Sequence, residues 1–372
     1  VRTGVYTVIP PNAKWGLQLE ERTLAQALRE AGYETAIVGK WHLGEFQEGY
    51  RPTNRGFDHQ YGLWFGNVDY FTHKRGDQLD WHRNDQPCDD QGYSTHLLAK
   101  EACRVIREKS LDKPLFLYLP FNAVHGPWQV PDEYKKPYAN VKGTRRTYAG
   151  MCAAMDEAVG QVLAVLDEKN IRDNTLIVFS SDNGPVWYPQ DIEKFGHRAS
   201  GPWKGMKGAL TDAGHHMPFI ASWPGKIKAG STCGELICFT DMMATLASLL
   251  GEKLPNNAGE DSFDLSPLLR GEKPASPIRT GMVHVNYGSY TLAIRKGDWK
   301  LILPMRVYVV KDGTITPDHI IATTGKGPTE KFQIYNLRTD PGEATNLFAQ
   351  EPAKAQELFV ALKADLARGR SR

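Results

Sequence analysis

Four short apolar runs alternate with helix-like stretches along this chain, and each run stops at polar residues. Thr35 to Val38 ends at Gly39-Lys-Trp-His-Leu-Gly44, and Pro114-Leu-Phe-Leu-Tyr-Leu-Pro120 ends at Asn122-Ala-Val-His-Gly-Pro-Trp128. Thr175-Leu-Ile-Val-Phe-Ser-Ser-Asp-Asn-Gly184 ends at Asp182 and Asn183, and Met217 to Trp223 is the fourth run. Apolar, β-branched runs of this length bounded by turns predict buried strands. The intervening segments carry helical spacing. One follows the Thr23-Leu-Ala-Gln26 capping box through Leu24, Ala27, Leu28 and Ala31 to Gly32. Others span Leu97 to Ile106, Tyr148 to Leu166 and Met242 to Leu250. Helices alternating with buried strands predict an α/β fold with a mainly parallel sheet sandwiched by helices.

The texture then changes. Met282 to Tyr287, Tyr290 to Arg295, Trp299 to Leu303 and Val307 to Val310 are short runs separated by turn residues, followed by an amphipathic stretch at Leu358, Phe359, Leu362 and Leu366. Such runs predict antiparallel hairpins and a last helix. The expected division is therefore a large domain over 1–278 and a smaller antiparallel α+β domain over 279–372. A net charge of +2 gives no reason to invoke nucleic acid or an acidic membrane. No stretch approaches the ~18 apolar residues of a membrane span. The five cysteines form no Cys-x-x-Cys pair, and an odd number argues against a disulfide framework.

In open α/β sheets ligands bind at the carboxyl ends of the strands. Those ends deliver Lys40 and His42, then His125, then Asp182 and Asn183; a Gly-rich segment, Gly201-Pro-Trp-Lys-Gly-Met-Lys-Gly208, adds Lys207. A carboxylate beside a carboxamide suits a hard cation such as calcium or magnesium. One cation and several positive donors would suit a tetrahedral oxyanion, with lysine and histidine able to protonate a leaving alkoxide. Each residue has a plainer reading. Asp-Asn-Gly is an ordinary turn, lysines are usually solvated, Gly39 to Gly44 can be a packed turn, and His125 a satisfied buried histidine. Trp187 and Trp203 flank a loop and can stack on sugar rings or pack a core.

Taken together, these motifs resemble the sulfatases of the alkaline-phosphatase superfamily, most of all the arylsulfatase B group. The resemblance runs nearly end to end. It includes Arg2-Thr-Gly4, Gly39-Lys-Trp-His-Leu-Gly44, Pro52-Thr-Asn-Arg-Gly-Phe-Asp58, Ala123-Val-His-Gly-Pro127, Ser181-Asp-Asn-Gly184, Gly297-Asp-Trp-Lys-Leu301 and Tyr335-Asn-Leu-Arg-Thr-Asp-Pro341. It implies an alkaline-phosphatase-like fold and calcium-dependent hydrolysis of sulfate esters, with a formylglycine nucleophile made from cysteine in a Cys-x-Pro-x-Arg motif. By resemblance Asp182 and Asn183 are calcium ligands, Lys40 supports the formylglycine, and His42 takes a proton from its hydrate. His125 and Lys207 hold the substrate sulfate and help protonate the leaving oxygen. The implied partner is a sulfated saccharide and the implied location extracytoplasmic.

Two departures qualify the resemblance. None of the five cysteines stands in Cys-x-Pro-x-Arg, and the family's early Asp-Asp pair has no counterpart. The expectation is a chain that has lost its first strand and nucleophile loop, with weak metal binding, little turnover and an exposed sheet edge or groove. Second, Asp212-Ala-Gly-His-His216 stands where the family has Glu-Gly-Gly-x-Arg. The alternatives are a non-catalytic sulfated-glycan-binding relative and a phosphodiesterase or phosphonate hydrolase of the same superfamily.

Overall fold

The computed structural model describes residues 3, 5, 8–11, 13–286, 289, 291–304 and 332–371. The expected strand Val307 to Val310 lies outside the described residues, as do Arg2 and Gly4 of the first quoted motif. The chain groups into two compact units, one formed by Val8–Asn174 and the other by the described residues before Val8 together with those from Thr175 onward. The division expected at residue 278 falls inside the second of these.

In the first unit, α1 (Leu24–Glu30) opens with the expected capping box: Thr23 Oγ1 accepts from the Gln26 amide at 3.1 Å, and the Thr23 amide donates to Gln26 Oε1 at 2.9 Å. Strand β1 (Glu34–Val38) follows, then β2 (His59–Gly62), the small hairpin β3 (Lys74–Arg75) and β4 (Gln78–Leu79), and β5 (His82–Arg83) with β6 (Gln86–Pro87). Helix α2 (Ser94–Glu108), β7 (Leu115–Tyr118), the short α3 (Asp132–Lys135) and the long α4 (Thr144–Glu168) complete the unit. Its sheet runs β6-β5-β2-β1-β7. The three strands β2, β1 and β7 are parallel, while β5 and β6 join antiparallel.

Successive residues of β1 point to opposite faces, and both faces are covered. Ile37 packs with Ala25, Trp41 and Phe57 on the α1 side, and Val38 packs with Leu63, Leu98 and Ala102 on the α2 side. By length and composition alone α4 also qualifies as a membrane-crossing segment, which the sequence reading did not anticipate. Its Met151, Ala154, Ala158 and Val165 are buried in the unit.

In the second unit, β8 (Ile177–Ser180) pairs antiparallel with β9 (Phe219–Ser222) as a two-stranded ribbon. The sequence placed both in one mainly parallel sheet. An apolar run specifies burial but not strand direction, and the returning strand arrives through a long excursion that includes α5 (Pro189–Phe195). These runs are also less buried than predicted. Tyr118 is 47% exposed on β7, the last strand of its sheet, and Phe179 and Ile220 are 37% and 59% exposed. Two short helices, α6 (Met242–Leu249) and α7 (Ser266–Leu269), lead to β10 (Gly281–Val285), β11 (Leu292–Lys296), β12 (Trp299–Ile302) and β13 (Gln333–Asn336). These four strands form one antiparallel sheet in chain order; the first three fall on expected runs, whereas β13 was not anticipated from the sequence. The C-terminal helix Pro352–Arg368 covers one face through Ala355, Leu358 and Leu362 against Leu292, Ile294, Leu301 and Ile334. On the alternate positions Ala293, Ile302 and Tyr335 pack with Leu210, so the segment around Leu210 covers the other face.

Candidate active site

The first unit presents three of the expected residues at the carboxyl end of its parallel strands. Gly39 closes β1 with φ 138°, and a Cβ there would meet the Pro120 carbonyl oxygen at 2.1 Å. Glycine therefore allows β1 to run hard against the end of β7. The next amide, of Lys40, donates to Pro120 O at 2.9 Å. Trp41 is buried and anchors the turn: its Nε1 donates to the carbonyls of Gly44 and Tyr50 at 3.2 and 2.9 Å. The plainer reading of a packed turn is thus correct for Trp41, and the packing leaves its neighbours Lys40 and His42 half-buried.

His42 sits at φ 57°, the left-handed region that non-glycine residues seldom adopt. Its amide donates to Trp64 O at 2.8 Å, and its ring stands edge-on to Phe65 with centroids 5.0 Å apart. Nε2 lies 3.1 Å from the Ile9 carbonyl oxygen, which can only accept, so that nitrogen carries the proton in this contact. Gly66 makes room for the ring, since a Cβ there would lie 2.7–3.1 Å from three imidazole atoms. Asp80 fixes the backbone behind it, accepting from the amides of Trp64 and Phe65 at 3.0 and 2.9 Å.

His125 is exposed, with Nδ1 2.7 Å from Gly126 O, so it is not the buried histidine of the plainer reading. Its loop is carried by Tyr70, whose hydroxyl lies 2.7 Å from Asn122 O and 2.8 Å from His125 O. Burial holds the Tyr70 phenol far above its ordinary pKa, so it remains a neutral donor. Phe65, Gly66, Tyr70 and Asp80 were not singled out from the sequence. Only the φ restriction at His42 and the close packing of the loops explain them, and neither leaves a motif.

The second unit carries the other three. Asp182 is exposed and Asn183 half-buried, with Asn183 Nδ2 donating to Gly184 O at 3.0 Å. The Gly184 amide donates to Gly214 O at 3.0 Å, and a Cβ at Gly184 would meet Ala213 O at 1.7 Å. The Lys207 amide donates to Pro185 O at 2.8 Å. Asp182, Asn183 and Lys207 thus stand on two loops stitched together by main-chain bonds. Trp203 lies against His216 with ring centroids 3.7 Å apart, so one of its faces is taken; Trp187 meets His197 edge-on at 5.2 Å.

Asp182 and Asn183 would offer a calcium ion one carboxylate and one carboxamide. Among the described residues no three His, Cys, Asp or Glu side chains group as a metal site. Calcium takes about six to eight oxygens, so these two donors fit part of its shell only.

Loops of the first unit thus carry Lys40, His42 and His125, and loops of the second carry Asp182, Asn183 and Lys207. The sulfatase family model matches residues 1–252, and the chain belongs to the sulfatase family. It is similar to arylsulfatase J of Mus musculus, 29% identical over 396 residues, covering 96% of this chain and 64% of the mouse protein. Arylsulfatase A of Homo sapiens is 31% identical over 394 residues, covering 98% of this chain and 74% of the human protein. Among solved structures, Ps i-CgsB in complex with k-i-k-neocarrahexaose superposes with TM-score 0.80 and 27% identity, over 98% of this chain and 78% of that one. The fold is accordingly an alkaline-phosphatase-like mixed α/β fold.

Proposed function

We propose that this chain carries the sulfate-handling residues of a sulfuric ester hydrolase acting on a sulfated saccharide. Its large domain would span 1–278 and its smaller one 279–372. In this reading His125 and Lys207 grip the sulfate, and both help protonate the departing sugar oxygen. Lys40 and His42 would serve a formylglycine nucleophile, Lys40 supporting it and His42 accepting the proton whose loss releases sulfate. Asp182 and Asn183 supply two of the oxygens for calcium, which polarises the ester when bound. The finer likeness to the arylsulfatase B group rests on the motifs quoted above, and an extracytoplasmic location on the resemblance. No cysteine of this chain stands in Cys-x-Pro-x-Arg, so we expect binding of sulfate without appreciable turnover by the chain alone.

The observation that supports the reading most is the pair of glycines, Gly39 and Gly184, where backbone contact leaves no room for a side chain immediately beside Lys40 and Asn183. Such tightness fits loops that must place charges accurately. The test is calorimetric titration with a sulfated N-acetylgalactosamine, with inorganic phosphate as competitor. Binding that weakens at least tenfold in Lys207→Ala and in His125→Ala supports it. Affinity unchanged in both variants contradicts it, and stronger binding of phosphate than of sulfate favours the phosphoryl alternative.

A further inference from the structure

The face of the antiparallel sheet opposite the C-terminal helix carries an unusual set of side chains. Alternation places Leu292, Ile294 and Leu301 toward the helix, and it turns Lys300 and Arg295 the other way. Lys300 is completely buried. Its Nζ donates to Asp212 Oδ1 at 2.5 Å and to Glu343 Oε1 at 3.0 Å. Glu343 is equally buried, sits at φ 52°, and accepts the Asp212 amide on Oε2 at 2.6 Å. Its carbonyl accepts from Lys204 Nζ at 3.1 Å. His215 Nε2 and His216 Nδ1 each lie 3.5 Å from an Asp212 oxygen, Arg295 Nη1 lies 3.9 Å away, and His284 stacks on His215 with centroids 4.0 Å apart.

Both ends of the Lys207 loop are therefore held from below. Lys204 is tied to Glu343 by its side chain and to Ala213 by its carbonyl, which accepts the Ala213 amide at 3.0 Å. Asp212, at the far end, is tied to Lys300 and Glu343. Above this anchor Gly214 O receives the Gly184 amide and Pro185 O receives the Lys207 amide. Nothing polar in the triad touches Lys207 itself.

We propose that Lys300, with Asp212 and Glu343, is a positioning residue: a buried ion triad through which the C-terminal sheet sets the placement of Lys207 and of the Asp182–Asn183 turn. The proposal deepens, and rests on, the reading of Lys207 as a sulfate ligand. It assigns the antiparallel sheet a part in anion binding rather than in stability alone. It also gives the acidic residue at 212 a structural part, between Lys300 and Glu343.

The test compares wild-type chain with Lys300→Met and with the milder Glu343→Gln, which keeps size but removes the charge and one of the two oxygens that accept from Lys300 and the Asp212 amide. Amide hydrogen exchange and calorimetric binding of inorganic sulfate are measured on each. The expected result is exchange at least tenfold faster in residues 183–185 and 204–216, with the C-terminal helix 352–368 within about twofold of wild type, and sulfate affinity at least tenfold weaker. Lys300→Arg should recover part of both. Faster exchange spread evenly through the unit, or unchanged exchange in the two loops, overturns the proposal. So does a loosened loop with unchanged sulfate affinity. If wild-type chain binds no sulfate, the functional reading fails by itself, and the exchange pattern still decides whether the triad positions the loops.

Discussion

The loop of Lys40 and His42 and the loop of Lys207 are both held tightly, by opposite means. The first is fixed chiefly by uncharged contacts, Gly39 against Pro120, the Trp41 indole on two carbonyls and the His42 ring between Phe65 and Gly66, with the Asp80 carboxylate holding the amides behind the ring. The second is fixed by buried charge, Lys300 between Asp212 and Glu343. Steric fixation tolerates changes of pH and salt, whereas a buried ion network holds only while every member keeps its charge. The two loops should therefore fail under different insults.

The largest expected effect is on the charged side. Lys300→Ala leaves two carboxylates buried without their cation, and breaking such a pair from one side costs about 3–5 kcal/mol. Denaturant unfolding followed by Trp203 and Trp223 fluorescence should show that loss in the second unit. A cost below about 1 kcal/mol would mean that the carboxylates reach water in the variant. On the uncharged side, Gly39→Ala forces the β1 end away from Pro120, and overpacking of this kind costs about 1–3 kcal/mol. Its thermal midpoint should drop while the exchange of 204–216 stays unchanged. An equal loosening of both loops would erase the contrast.

A smaller effect comes from the helix cap. Thr23→Ala removes the acceptor of the Gln26 amide and should cost about 1 kcal/mol in the first unit only; calorimetric unfolding checks it.

The pH dependence sharpens the comparison further. Burial, then the charges of His215 and Lys300, hold the His284 imidazole well below its ordinary value of 6.5. An unfolded chain takes up that proton near pH 6.5 while the folded one does not. Stability present above that pH is therefore lost as pH falls below it. The buried His73 and the half-buried His82 are lowered in the same direction in the first unit. The discriminating variant is therefore His284→Gln, which should flatten the acid slope of the second unit alone. Asp212 behaves differently. Burial would raise its carboxyl, but hydrogen bonds from His215 and His216 and the Lys300 charge outweigh that and hold it far below the carboxylate range. Its contribution survives mild acid and is lost only as pH falls through that depressed value. Under the proposed function calcium affinity should be weak, since Asp182 and Asn183 would supply two oxygens; submicromolar binding would contradict this count.

What the sequence revealed depends on the range of the interaction. The Thr23 capping box, the alternation of β11 and β12, and the strand-end position of Lys40 are local or periodic, and each was readable. The antiparallel pairing of β8 with β9 was not, because strand direction depends on where a distant segment returns. Lys300 was legible only as part of Gly297-Asp-Trp-Lys-Leu301. That it is fully buried follows from Asp212 and Glu343, 88 and 43 residues away along the chain. His42 was singled out as a proton carrier, yet its left-handed backbone and the space left by Gly66 have no sequence signature beyond a glycine in a loop.

The most direct test is a crystal structure of the chain grown with a sulfated saccharide. The proposed function predicts the sulfate group within hydrogen-bond reach of Lys207, on the loop that the Lys300 triad anchors. A sulfate bound out of reach of Lys207 would contradict it.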